Sequence, residues 1–220
     1  MSFFRYLRAH PFSIMALCNI VGDLCYLGFA FAAKGWVSPP KLSGAAFAML
    51  AHMVLLAYGD DQARHIACES GVISRIILRM RAFAQRALRS MPEKAQSLAR
   101  AKPVGVPFAM LCMNGVGLLT DAVFARGSSL ASTSQMMLGL CIVAGCGSYA
   151  LADFVREQKT ANMFLKLAPT LLVGAYLSNA GLALATHNGF LILALAVFFL
   201  SNVTGFYTKI DKDPVVIAEN

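Results

Sequence analysis

Charge is scarce in this chain. Only 14% of its 220 residues are Asp, Glu, Lys or Arg, against about 25% in ordinary soluble domains. Acids are the scarcer sign, with 11 Asp and Glu against 19 Lys and Arg. A basic excess can mark a nucleic-acid surface, but no basic module interleaved with aromatics is present, so that class is set aside. Metal-ligand spacing is also missing. Cys18 and Cys25 are seven apart and Cys141 and Cys146 five apart, which fits no Cys-x-x-Cys pattern. The Gly-x-Ser-x-Gly, His-Glu-x-x-His and P-loop signatures are absent, and no enzyme activity, cofactor or metal is expected. The eleven methionines are scattered and read as gap-filling side chains.

What the chain has instead is apolar length. Fully 58% of it is hydrophobic, and those residues come in runs near the roughly 20 that a bilayer span needs. Six runs stand out, at 11–33, 42–58, 104–124, 131–154, 167–186 and 190–206. The second is short and must borrow a turn from its flanks. Arg5 and Arg8 precede the first run in the manner of a signal peptide. That run is too long for one and carries Asp23, so it reads as a membrane helix.

Counting Lys and Arg orients the spans. Sixteen fall on one side and three (Lys34, Lys41 and Arg126) on the other. Positive loops stay in the cytoplasm, so both termini are expected there, and a bacterial inner membrane is the expected home. The cysteines agree: five lie within spans and Cys68 on the cytoplasmic side, with none in an outer loop where disulfides form. Trp36, the only tryptophan, is expected to anchor the first span at the outer interface.

The expected fold is therefore all-α: a polytopic bundle of six transmembrane helices in three hairpins, with one amphipathic helix on the cytoplasmic leaflet. Residues 1–58, 104–154 and 155–208 hold the hairpins, 59–103 the connection with its helix, and 209–220 a tail. An internal repeat runs faintly through the odd spans. Pro11-Phe12 leads to Asn19 and Gly22, Pro107-Phe108 to Asn114 and Gly117, and Pro169 to Asn179 and Gly181. Tyr58 with Asp60, Tyr149 with Asp153 and Tyr207 with Asp211 hint at the same at the ends of the even spans. Small residues fill the fourth span, from Gly139 to Ala152, which suits a central helix. Bulky Leu55, Leu56, Phe198 and Phe199 suggest lipid contact for the second and sixth.

The connection carries nine basic residues. Over 73–91 its apolar residues fall at helical spacing, with Arg75, Arg79, Arg86 and Arg89 opposite. Such a helix is expected to lie on anionic headgroups, or to dock a partner protein.

Polar groups inside a bilayer are costly, about 2.5–3.5 kcal/mol for a central charge, and so face the interior or water. Asp23 lies near the middle of the first span, His52 near the middle of the second and Asp121 in the outer part of the third. Asp23 and His52 can pair, and no Lys or Arg lies deep enough to be an obvious partner for either aspartate. Asn19, Asn114 and Asn179 share a depth, and their amides suit interhelical bonds, which are common in bundles, or a neutral polar solute. Asp60 and Asp61 read as solvated end charges. These residues frame two expectations: a small transporter or channel for a polar solute or cation, with Asn19, Asp23, His52, Asn114, Asp121 and Asn179 at its binding site, or a non-catalytic membrane subunit. The expected partners are membrane lipids, anionic ones included, a small polar solute, and a second copy or a partner membrane protein.

Overall fold

The structure, a computed structural model, describes residues 10–34, 37–62, 72–124 and 130–210. Trp36, Cys68, Asp211 and the tail beyond 210 lie outside the described residues, and so do the expectations attached to them.

Among the described residues the chain is all-helical. Its elements are α1 (Pro11–Lys34), α2 (Pro39–Tyr58), a 3-10 turn (Gly59–Gln62), α3 (Val72–Leu88), α4 (Glu93–Ala101), α5 (Gly105–Phe124), α6 (Leu130–Phe154), α7 (Gln158–Thr186) and α8 (Gly189–Gly205). Five of them, α1, α2, α5, α6 and α7, are long and apolar enough to cross a membrane. The sixth apolar helix, α8, has 17 residues, about 26 Å at 1.5 Å per residue.

These six helices close a ring in the order α1, α2, α5, α6, α7, α8, with α8 returning to α1. The largest interface joins α6 and α7, followed by α5 with α6. Helix α1 packs more extensively on α8 than on α2, its neighbour in sequence. Hairpins therefore describe the connectivity, while the packing unit is the ring.

Small residues set the spacing within it. A Cβ built on Gly115 of α5 would sit 2.9 Å from the Gly139 carbonyl oxygen of α6, and one on Gly139 would sit 2.8 Å from that of Gly115. A Cβ on Gly117 would come 2.6 Å from the Pro40 carbonyl oxygen of α2. Without a hydrophobic drive between helices in lipid, such close backbone contact is how they hold together. The reversal into α8 is equally local. His187 takes a left-handed conformation (φ 48°) after α7, and the Asn188 side chain accepts a bond from the Phe190 N–H.

Several expectations are corrected. Helix α2 does borrow a turn as expected, beginning at Pro39, three residues before the apolar run, because Pro39 and Pro40 suit the first helical turn. It is the most enclosed of the five long helices; Leu55 and Leu56 are fully buried, not lipid-facing. The reason is that α1, α5 and α3 all pack on it. Phe198 turns inward, while Phe199 is exposed as expected. Helix α7 starts at Gln158, nine residues before its apolar run, so Lys159 and Lys166 are helical and Pro169 lies inside the helix. Among the side chains described, helix α3 buries Ile77, Ala84 and Leu88 of its apolar face, and Arg81 and Gln85 donate hydrogen bonds to the Ala57 carbonyl at 3.4 and 3.1 Å.

Candidate functional site

Each helix of the ring turns one face inward at i, i+3 or i+4 spacing. On α1 that face carries Met15, Asn19 and Asp23; on α5, Phe108, Leu111 and Asn114; on α6, Leu138, Ile142 and Cys146. Together with His52 of α2, Tyr176 of α7 and Ser201 and Asn202 of α8 they line one cavity of about 90 Å³. That is room for a few waters at roughly 30 Å³ each, and less than the roughly 150 Å³ that holds a benzene.

Asp23 and His52 meet at its wall. Asp23 Oδ2 lies 3.3 Å from His52 Nδ1, with the His52 side chain 2% exposed and that of Asp23 13%. The two are close without being aligned as a hydrogen bond, and His52 Nε2 has no partner either. A buried polar group left unpaired costs about 1–3 kcal/mol, so these atoms are poised for something that completes them.

A second cavity of about 40 Å³ shares Asp23, Asn114 and Phe198 with the first and runs on to Tyr26 and Lys41. Beyond it sits Asp121, outside both cavities. Lys41 Nζ lies 3.0 Å from Asp121 Oδ2. Ser38 Oγ donates to Asp121 Oδ1, and Gln135 Nε2 donates to Asp121 Oδ2 at 2.7 Å and to the Leu118 carbonyl at 3.2 Å. The expectation that no lysine could reach an intramembrane aspartate is thus overturned. Lys41 is not a loop residue but stands, buried, in the first turns of α2. The Pro39-Pro40 pair was the sequence signal for that.

Asn179 does not line the cavity. It is 1% exposed, and neither amide atom has a hydrogen-bond partner. It lies on the α7 face of Ala175 and Leu182, residues that pack in one cluster with Tyr26, whose hydroxyl is also buried and unpaired.

At the end of the ring where α1 and α5 begin, two carboxylates cap helix N-termini. Asp60 Oδ1 accepts from the Phe12 and Ser13 N–H groups at 2.9 and 3.3 Å. Asp153 Oδ2 accepts from those of Val104 and Gly105 at 3.3 and 2.7 Å. Each ties the last turn of one helix, or the turn after it, to the first turn of the helix before it in the hairpin, satisfying orphan donors and the N-terminal dipole together. Asp60, expected to be a solvated end charge, is buried; nothing in hydropathy reveals an acid that folds back on a turn 48 residues away. Beside this end, Arg75, Arg79, Arg86 and Arg89 of α3 are exposed, as are Val72, Ile76, Met80 and Phe83.

Comparison with known protein families, with curated proteins and with solved structures finds no match. The class rests on the helices themselves: their length and apolar composition mark a membrane protein.

Proposed function

We propose that the chain is a small transporter or channel that carries a polar solute or cation through the six-helix ring. The solute binds where Asn19, Asp23, His52 and Asn114 meet. One observation carries this reading: six helices line a single cavity, five of them with polar side chains, and its acid and imidazole lack aligned partners. Asparagines serving only as interhelical glue would be spent on neighbouring helices. Asn19 and Asn114 border the cavity instead.

In this reading α8 is the sixth span, tilted little because it is short. The three hairpins enter from the cytoplasm of a bacterial inner membrane, and the basic end of the ring with α3 faces that side. The parallel capping by Asp60 and Asp153 supports an internal repeat of the first two hairpins. No catalytic step is assigned.

The test is flux. The full chain in proteoliposomes, offered a panel of small radiolabelled polar solutes and cations, takes up at least one. Asn114→Leu abolishes that uptake while the helical circular dichroism is unchanged. Uptake that survives both Asn19→Leu and Asn114→Leu contradicts the site.

A second reading is favoured by α3. Its apolar flank is uncovered beside its arginines, with Ile76 52% and Phe83 54% exposed. A membrane subunit would dock a partner there. Reproducible co-purification of one protein, lost in R75E/R79E/R86E, would favour it.

A further inference from the structure

Resting on the transporter reading, we propose that the cavity at Asp23 and His52 is a proton-exchanging site for a small monovalent cation. Charge comes first. Among the lining residues Asp23 is the only acid, His52 the only imidazole, and no Lys or Arg is present. Lys41 reaches the adjoining cavity, but it is engaged by Asp121 at 3.0 Å. The other titratable groups that face the pair from the surrounding helices are Tyr26 of α1, Cys146 of α6 and Tyr176 of α7; α5 and α8 present none to it.

A carboxylate held this far from bulk water must be neutralised. Two neutral arrangements are available. In the first, His52 carries a second proton and forms an ion pair with Asp23. In the second, His52 is neutral and a cation sits against Asp23, with the amide oxygens of Asn19 and Asn114 as further ligands. Passing from the first to the second frees one proton: the imidazolium–carboxylate pair plus a cation gives imidazole, the carboxylate–cation pair and a proton. Charge in the cavity is unchanged throughout, so neither step exposes an uncompensated ion to the bilayer.

The arrangement found fits an exchange site and not a lock. The 3.3 Å approach of Asp23 Oδ2 to His52 Nδ1 is unaligned, and both atoms stay buried without a hydrogen bond. A cavity of about 90 Å³ admits a small cation with a water or two. A single carboxylate matches a single positive charge. Among the described residues no cluster of three or more His, Cys, Asp or Glu could hold a metal, as a divalent site would need.

The experiment measures proton release. Purified full chain in weakly buffered detergent micelles is titrated with sodium, potassium or methylammonium chloride, and a pH indicator reads the protons set free. At least one cation should give saturable release approaching one proton per chain. Asp23→Asn should release none while keeping its helical circular dichroism. Asp23→Glu should restore release with affinity weakened about tenfold, which separates loss of the carboxylate from loss of the fold. His52→Gln should still bind the cation, with the pH dependence of binding flattened. Saturable cation binding without proton release, or release that persists in Asp23→Asn, overturns the proposal. So does the absence of binding by all three cations. Uptake of a neutral solute that depends on Asn114 would then leave the transporter reading standing alone, and its absence would remove both.

Discussion

Asp23 of α1 and Asp121 of α5 both lie within long apolar helices of the ring, and the protein treats them differently. Asp121 is saturated: Lys41 neutralises it and Ser38 and Gln135 donate to it. Those three residues come from α2, its leading turn and α6, so one carboxylate stitches α5 to both of its neighbours in the ring. Among the described residues Asp23 has one charged partner, His52, and the two are not aligned as a hydrogen bond. Residue type is the same in the two places, and side-chain exposure is similar at 8% and 13%. What differs is whether the chain itself completes the group. A completed buried charge fixes helices relative to one another, whereas an incomplete one beside a cavity is where a ligand or proton supplies what is missing.

That contrast is open to attack, beginning with the largest effect. Lys41→Met strands the Asp121 carboxylate, and breaking a buried pair costs about 3–5 kcal/mol. Thermal unfolding of the purified protein followed by circular dichroism should show that loss, and the double variant K41M/D121L should recover most of it, because removing both charges leaves neither uncompensated. Asp23→Asn should shift the same unfolding curve by clearly less, because His52 can give up its proton and no charge is left stranded. Equal losses at Lys41 and Asp23 would erase the distinction.

Next in size is the cap at Asp153. Its two charge-assisted backbone bonds predict that Asp153→Ala costs about 1.5–3 kcal/mol, and hydrogen exchange at the start of α5 should rise selectively. Asp60→Ala should do the same at the start of α1. Comparable in scale, Gly117→Val places a side chain 2.6 Å from the Pro40 carbonyl and should cost about 1–3 kcal/mol through overpacking. Gly147→Ala, whose nearest neighbour would be Cys112 Sγ at 4.0 Å, should be close to neutral. The smallest change in stability belongs to α3. R75E/R79E/R86E should leave unfolding within about 0.5 kcal/mol of the parent, yet lower the amount of anionic lipid that stays with the protein through purification.

Much of the scaffold could be read directly from residue order. Helices α1, α5 and α6 end within a residue or two of their apolar runs, because in those stretches hydropathy and helix are the same thing. The inward faces were legible too, since Asn19, Asp23, His52 and Asn114 are polar where lipid would reject them. Hydropathy is blunted where charged and polar residues interrupt a helical turn, which hid the first nine residues of α7. It cannot see long-range closure either. Lys41 and Asp121 are 80 residues apart in sequence, and the packing of α1 on α8 joins the two ends of the ring. Asn179 shows a third limit: it lies on the α7 face of the cavity-lining Leu172 and Ala175 but a turn beyond them, so it is packed away while Asn19 and Asn114 reach the cavity.

The most direct test of the unsaturated cavity as the binding site is native mass spectrometry of the full chain, extracted gently with its lipids. The parent protein and K41M/D121L should both retain the same bound small species, and N19L/N114L should lose it. A species that survives in N19L/N114L, or a co-purifying protein in its place that depends on the α3 arginines, would contradict the account.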